Sequence, residues 1–391
     1  MKNSKYNSQK LHYKLSTRSS KILRVWRSIK MWGLHRTFAK IINRLSLPLS
    51  PVLYLLPRNR DLLLVGCGQF GLSTASFFIG KKLGNRFLGC YDIDLNQASR
   101  AKNTYKYKFV AESFEALTDL EGAKYMFIAS NHASHTPQTI VGLNKGLMVH
   151  VEKPISVSWD QLSSLSKVVK GKEDRLFVGY NRPFAKATQI LRKHLPDGDG
   201  PFTIQYFIAG HAIDPNHWYY DPKEGTRICG NVGHWIDLTI HLLSQRDIAD
   251  RWEITLVYSD LDLREENFSL SMKSDKGDLI SMTFTTRGEP FDGVSETVNL
   301  QHGNVMAKIE DFQSIKLWKG SYFKNYKFRP KDVGHKSSVL QMFEDHPQYL
   351  RPWSEIYLST MLMLHITDMV RGKLTFSNFS FHETDLKVRS A

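Results

Sequence analysis

The chain has 391 residues, 41% of them hydrophobic, and 53 Lys and Arg against 38 Asp and Glu give a formal charge of +15. That length and apolar content support a large core, most economically arranged as two domains. The three cysteines, Cys67, Cys90 and Cys229, are too widely spaced for a disulfide framework or a CxxC metal site, which points to a reduced, intracellular protein without a bound metal.

The charge is not spread evenly. Residues 1–60 hold 14 Lys or Arg and no acid, which leaves 39 basic and 38 acidic residues in a nearly neutral body. Within this arm, residues 1–20 are polar and read as disordered. From Lys21 the pattern turns helical, with Ile22, Val25, Trp26, Ile29 and Trp32 on one side and Lys21, Arg24, Arg27 and Lys30 around the rest. A second amphipathic piece runs from Arg36 through Phe38, Ile41, Ile42 and Leu45. Three readings stand open: the apolar faces pack on the body or on a sister subunit, they lie on an anionic membrane surface, or the arm is a mitochondrial transit peptide. The body offers no basic face or aromatic stacking motif, so nucleic acid is not expected as a partner. No apolar run approaches the roughly 20 residues of a membrane span. The longest, 45–56, is broken by Pro48 and Pro51, and the first apolar stretch is neither N-terminal nor continuous enough for a secretory signal.

Leu62 to Val65 reads as a buried parallel strand running into Gly66-Cys67-Gly68-Gln69-Phe70-Gly71 and a helix over about 72–83. In such a turn Gly66 permits the tight bend, Gly68 permits close approach to a pyrophosphate, and Gly71 lets the helix pack on the strand. Free N–H groups at the helix start then face the phosphates. A second strand, 86–91, ends at Asp92, which lies 21 residues after Gly71. A carboxylate there accepts hydrogen bonds from a ribose diol and repels a 2′-phosphate, favouring NAD over NADP. Capping of the helix over 95–105 is the competing role for Asp92. Ser113 opens a short helix, and strand 125–130 ends in Ser130 and is followed by Asn131, His132 and His135 at its carboxyl end, where ligands sit in open parallel sheets. A helix over 136–145 and a strand over 147–151 follow. Strands alternating with helices predict a doubly wound parallel sheet, an α/β Rossmann domain over 61–180.

Strand 147–151 ends in Glu152-Lys153-Pro154. A lysine at this strand end can polarise a substrate oxygen and relay its proton, and Glu152 fits a role in orienting Lys153 or the cofactor. The glycine turn, Asp92, the His132/His135 pair, Glu152-Lys153-Pro154 and then Val178-Gly179-Tyr180-Asn181-Arg182-Pro183-Phe184 together resemble the Gfo/Idh/MocA family of sugar and cyclitol oxidoreductases, over roughly residues 61–380. The resemblance implies that Lys153 is catalytic, and that Gly66, Gly68, Gln69, Phe70, Gly71, Asp92, Ser130, His132, His135, Glu152 and Lys153 line a nicotinamide cofactor. It further implies a homodimer or tetramer.

From about 181 to the end the pattern changes to extended runs at 202–209, 252–261, 268–273, 278–286, 297–302, 305–311 and 314–319, with Gly277, Gly288 and Gly303 between them. These predict an α+β domain built on a large, mostly antiparallel open sheet. An apolar helix is expected over Trp353–Arg371, its methionines serving as core filling. Between the first two runs, residues 217–238 resemble the family's substrate-side helix, particularly that of a subgroup from polysaccharide-biosynthesis settings. There His234 matches the catalytic histidine, and Asp237, three residues on, shares its helix face. His217, Trp218 and Arg227, together with Arg182 and Asn231, are candidates for substrate contact. The chain departs from the pattern where a carboxylate is usual: Gly230 stands four before His234 and Asn231 three before it, and the subgroup's paired glycines become Gly225-Thr226. Asn231 can hydrogen-bond a substrate but carries no charge.

The resulting expectation is a cytoplasmic NAD(P)-dependent sugar oxidoreductase acting on a nucleotide sugar in surface-polysaccharide synthesis. A second expectation, from the missing carboxylate and the basic arm, is a catalytically degenerate, NAD-binding scaffold on the inner face of the membrane.

Overall fold

The computed structural model describes residues 18–45, 47, 57–196, 198, 200–214, 216–287, 293–343 and 351–390. The disordered reading of 1–17, and most of the apolar run 45–56, lie outside them. The expected two-part architecture is present.

The first sheet has six parallel strands: β1 (Pro57–Val65), β2 (Asn85–Tyr91), β3 (Phe109–Val110), β4 (Tyr125–Ile128), β5 (Met148–Val151) and β6 (Leu176–Val178), in the order β3-β2-β1-β4-β5-β6. Because side chains alternate along a strand, Leu62 and Leu64 of β1 enter one core with Phe87, Cys90 and Phe127. Leu63 and Val65 enter the other with Met126, Ile128 and Val149. Burial on both faces explains the continuous apolar run in the sequence. Chain order reverses between β1 and β4, so their carboxyl ends form the crevice where a doubly wound sheet binds its ligand.

The second sheet has nine strands in the order β14-β13-β12-β11-β7-β10-β9-β8-β15. These are β7 (Phe202–Ala209), β8 (Arg251–Tyr258), β9 (Asn267–Ser274), β10 (Leu279–Thr285), β11 (Ser295–His302), β12 (Val305–Glu310), β13 (Ser314–Lys319), β14 (Tyr322–Lys327) and β15 (Phe376–Ser380). All pairings are antiparallel except β10 with β7. The edge strands β14 and β15 were not expected: every side chain of β14 is exposed or half-exposed, so it lacks the alternation that marks a half-buried strand.

Two helices start the described chain, α1 (Arg18–Trp32), three residues earlier than the periodicity suggests, and α2 (Leu34–Arg44). Their inner face packs on the body. Ala39 joins the core beside β1, Ile42 is buried, Asn43 Nδ2 donates to Ser73 Oγ at 3.2 Å, and Lys331 N donates to Met31 O at 2.8 Å. The outer face leaves apolar side chains in water: Ile22 is 67% exposed, Trp26 64%, Leu45 64% and Phe38 49%. The packing reading describes one side of the arm, and the other side stays unpartnered among the described residues.

The long helix α5 (Trp353–Arg371) lies against a second buried helix, α4 (Gly233–Leu243), at the centre of the larger core. Arg182, just after β6, is tied to Glu296 of β11 in the second sheet. Arg182 Nε and Nη2 donate to the two Glu296 oxygens at 2.8 and 3.0 Å, Trp235 Nε1 donates to Oε2 at 2.7 Å, and the guanidinium lies over the Trp235 ring at 4.5 Å. Both charged side chains are buried. Removing one partner of such a pair leaves an uncompensated charge, so Glu296→Ala should cost about 3–5 kcal/mol. Urea unfolding followed by tryptophan fluorescence measures this, and a loss under ~1 kcal/mol would mean that the pair holds nothing.

Candidate active site

The glycine turn follows β1. Gly66 adopts φ +86°, and a Cβ there would collide with the Ala129 carbonyl; a Cβ on Gly71 would meet the Gly66 carbonyl. Gly68 has nothing within 4 Å of where its Cβ would stand, which leaves room for a ligand against the backbone. The helix beyond begins as a π turn, Gly71–Ser76, before continuing as α3 (Phe77–Leu83), and Ser76 Oγ donates to Gly71 O at 2.8 Å within that turn. Asp92 holds the loop from the end of β2: Oδ2 accepts from Cys67 N at 2.7 Å and Oδ1 from Asp94 N at 2.9 Å. The cap of the next helix is Asp94, which accepts from Asn96 N, so Asp92 is not the capping group. Ile93, 91% exposed, stands beside it. These features fit a dinucleotide: an open glycine backbone, a helix start and a carboxylate at the ribose position.

Next to β1, β4 delivers Ser130, Asn131 and His132. The helix after β4 begins at His132, four residues before the expected start. Its first turn is occupied by Glu224 from the other domain. One Glu224 oxygen accepts from Asn131 Nδ2 at 2.7 Å, the other from Ala133 N at 3.0 Å, and the Glu224 carbonyl accepts from His132 Nδ1 at 3.0 Å. A carboxylate on a helix N-terminus is favoured by the helix dipole, so the clamp holds the domains together at the crevice. Glu224 was not a sequence candidate; its partners lie some 90 residues away and no local pattern signals them. Ser130 Oγ donates to Gln138 Oε1 at 2.7 Å. His135 is turned inward, Nδ1 beside Pro154 O at 2.8 Å and Nε2 beside Ser130 O at 3.2 Å, and so braces the loops after β4 and β5 from behind.

At the end of β5, Lys153 precedes a cis peptide to Pro154, and its Nζ donates to Gly230 O at 2.7 Å across the domain boundary. Gly230 has no room for a side chain, since a Cβ would stand 2.8 Å from both His132 Cε1 and Tyr219 Cε2. The space a side chain at position 230 would need is therefore filled by the rings of His132 and Tyr219. Gly230 lies in a second π turn, Ile228–Val232, which leads into α4 and His234. Asn231 Oδ1 and His234 Nδ1 are buried without a hydrogen-bond partner among the described residues. Burial drives the His234 pKa well below its ordinary value, helped by the nearby positive charges of Arg182 and Lys153. The ring is neutral. Glu152 is buried under Gly179, and burial raises its carboxyl to about 8, so it is uncharged at neutral pH.

The remaining substrate candidates separate. His217, Trp218 and Tyr219 form an aromatic wall on His132, with His132–Trp218 and His132–Tyr219 centroids both at 4.8 Å. Asp237 does not face the cleft with His234: it is fully buried, accepts from Arg351 Nη1 at 2.9 and 2.7 Å, and accepts from Ser359 Oγ at 3.0 Å. Arg182 is committed to Glu296. Arg227 is buried over Phe284, with Nη2 donating to His211 O at 2.8 Å and Glu266 3.6 Å from Nε. Thr226 precedes it at φ +58°, a left-handed conformation that costs a β-branched residue and that glycine adopts without strain.

Residues 61–180 match the model of an oxidoreductase family with an NAD-binding Rossmann fold, the Gfo/Idh/MocA family. The chain is similar to the 1-carboxy-3-chloro-3,4-dihydroxycyclohexa-1,5-diene dehydrogenase of Comamonas testosteroni, 21% identical over 241 residues, 56% of this chain and 56% of that enzyme. It thus spans a little over half the length of this curated relative. Among solved structures it resembles a dehydrogenase from Chromobacterium violaceum, with TM-score 0.68 and 16% identity over 80% of this chain and 94% of that one. Levoglucosan dehydrogenase, solved with NADH and levoglucosan, aligns with TM-score 0.67 and 13% identity over 82% of this chain and 99% of that one. Likeness at these identities carries the fold. With the family match and the open glycine turn, the first domain is an NAD-binding Rossmann module.

Several histidines are buried uncharged, and this has a pH consequence. Burial lowers His135 and His241 to about 4 and His150 to about 3. As pH falls below about 6.5 the unfolded chain takes up protons at these rings while the folded protein does not, so stability falls, and the fall ends only below the folded values. Glu152 acts oppositely, since its raised pKa favours the folded state below 4.5 and loses that contribution as pH rises through about 8. Asp237, raised to about 6 by burial, acts like Glu152, but with His132, His234 and His335 also driven well below their ordinary value the histidines outweigh the two carboxyls. Urea midpoints should decline steadily from pH 6.5 to 4.5; a flat or rising profile would show that these rings are charged in the fold.

Proposed function

We propose that this protein is an NAD-dependent oxidoreductase that moves a hydride between the nicotinamide and a hydroxyl-bearing or keto ring carbon of a sugar. The observation that carries this reading is the meeting of Lys153 and the His234 helix across one crevice, through the Lys153 Nζ–Gly230 O hydrogen bond. The dinucleotide supplies the hydride acceptor or donor, and the protein's part is to place the substrate and handle its proton.

An ammonium has three donors, and Lys153 spends one on Gly230, leaving two for a substrate oxygen. The neutral His234 ring takes the hydroxyl proton in oxidation or returns it in reduction. Asn231 Oδ1 is free to accept from a sugar hydroxyl, and the Trp218–Tyr219 wall offers an apolar face to a sugar ring. Lys153, hydrogen-bonded among the described residues only to a neutral carbonyl, keeps the cleft electropositive beside His234, which suits a substrate with an anionic group such as a nucleotide sugar. That substrate class is consistent with surface-polysaccharide synthesis in the cytoplasm. Phe207, Val257, Leu279 and Met306 are exposed on the outer face of the nine-stranded sheet and suit a homodimer or tetramer contact.

A second reading is favoured by two observations. No described carboxylate stands at Gly230 or Asn231, and the arm turns Ile22, Trp26 and Phe38 outward among basic residues. A scaffold that binds NAD and sits on an anionic membrane uses both. Among the described residues no helix is long and apolar enough to cross a membrane, so such contact is peripheral.

Two experiments separate these readings. Lys153→Ala should bind NADH within a few-fold of the parent while turnover on accepted nucleotide sugars falls by about 10²–10⁴; turnover that survives removes Lys153 from the chemistry. The full chain should float with phosphatidylcholine vesicles containing phosphatidylglycerol, and Trp26→Ser with Phe38→Ser should abolish this. A parent protein that stays in the pellet fraction excludes the membrane role.

A further inference from the structure

The arm places cations beside the cofactor turn that form no ion pair among the described residues. Arg36 and Lys40 lie one helical turn apart on α2, an arrangement of like charges that destabilises a helix unless something compensates. Arg36 is packed between aromatic rings, its guanidinium 4.7 Å from the Trp32 centroid and 5.2 Å from that of Phe78, just past the π turn. Its Nη2 lies 3.4 Å from His335 Nδ1, and its Nε is buried with no partner among the described residues. The His335 ring in turn sits 5.9 Å from Phe70, inside the glycine turn. Lys40 Nζ lies 5.1 Å from the Trp32 ring. Among the described residues neither cation forms an ion pair, and Asp332 acts on Arg36 only at longer range.

Burial lowers Arg36 to about 10. Burial, with Arg36 and Arg44 beside it, lowers Lys40 to about 8. His335 is driven well below its ordinary value by burial and by Arg36, Arg182, Lys40 and Lys153. These groups therefore share one electropositive region. Arg182 alone among them is neutralised, by Glu296. Two like charges held in low dielectric, with Asp332 only at longer range and no ion-pair partner among the described residues, are costly, and an anion at that place recovers the cost.

We propose that α2 of the arm is part of the cofactor site, where Arg36, backed by Lys40, supplies positive charge to the pyrophosphate of the bound dinucleotide. The proposal rests on the reading of residues 61–180 as an NAD-binding module. It gives the arm a role in binding: Asn43 pins α2 to Ser73 on the phosphate-facing helix, and His335 spaces Arg36 from Phe70. The dinucleotide then bridges the arm and the first domain.

Calorimetry on the full chain tests this with NADH, with ADP-ribose, which keeps the pyrophosphate but lacks the nicotinamide, and with adenosine, which lacks both. Arg36→Ala should weaken NADH and ADP-ribose alike, by roughly ten- to hundredfold, and leave adenosine unchanged; Arg36→Lys should recover part of the loss. At pH 8, NADH binding should also take up a fraction of a proton, seen as a dependence of the heat on buffer ionisation, because a phosphate raises the Lys40 pKa; Lys40→Met should abolish that uptake. Equal weakening of all three ligands would mean that Arg36 only holds the arm in place. Loss for NADH but not ADP-ribose would move Arg36 to the nicotinamide end, and no loss at all would remove α2 from the site. Any of these three overturns the proposal while leaving the NAD reading intact, whereas a parent protein that binds no NADH overturns both.

Discussion

The hydrogen bond from Lys153 Nζ to Gly230 O joins the two halves of the site, and the rest of the cleft is arranged to permit it. Lys153 reaches Gly230 because β5 ends beside β4 at the crevice of the first sheet. Gly230 can accept because the π turn before α4 brings its backbone, instead of a side chain, toward the lysine. His132 and Tyr219 close the space that a Cβ would need, and Glu224 fixes His132 from the opposite domain. A backbone carbonyl thus stands where the sequence resemblance leads one to expect an acid. It orients an ammonium without adding charge, which leaves the cleft more positive than a carboxylate would.

That positive character persists because the acids of the second domain are already engaged. Glu296 pairs with Arg182, Asp237 with Arg351, and Glu355 with Arg351 and His241. Glu152, the acid nearest Lys153 in sequence, is held neutral by burial. Pairing these carboxylates with arginines in the core stabilises the scaffold and at the same time withdraws negative charge from the cleft. An anionic ligand therefore meets little competition from the protein's own acids.

Much of this was legible locally. The glycine turn, Asp92, Lys153 and His234 are marked by short spacing patterns, and the strands by alternation or by apolar runs bounded by turn residues. What was illegible has long-range causes. The three-residue spacing of His234 and Asp237 suggested a pair, yet Nη1 of Arg351, more than a hundred residues on, donates to both carboxylate oxygens instead. Glu224 clamps a helix start some 90 residues upstream. The arm reads as amphipathic, but composition cannot say that its inner face covers the cofactor helix while its outer face meets water. Strand β14 has no buried face to reveal it.

Both helices that begin at the crevice, after the glycine turn and before His234, open with a π turn. Each such turn holds one residue more than an α-helix needs over the same length, and π turns are frequent at functional sites. Loss of that residue would regularise the helix and so relieve it locally, but it would rotate everything on one side by about 100° relative to the other. For the first helix this misaims the glycine loop; for the second it carries Gly230 away from Lys153. Chain length in these two stretches is therefore under tighter constraint than residue identity, and insertions or deletions should be rarer there over evolutionary time than substitutions.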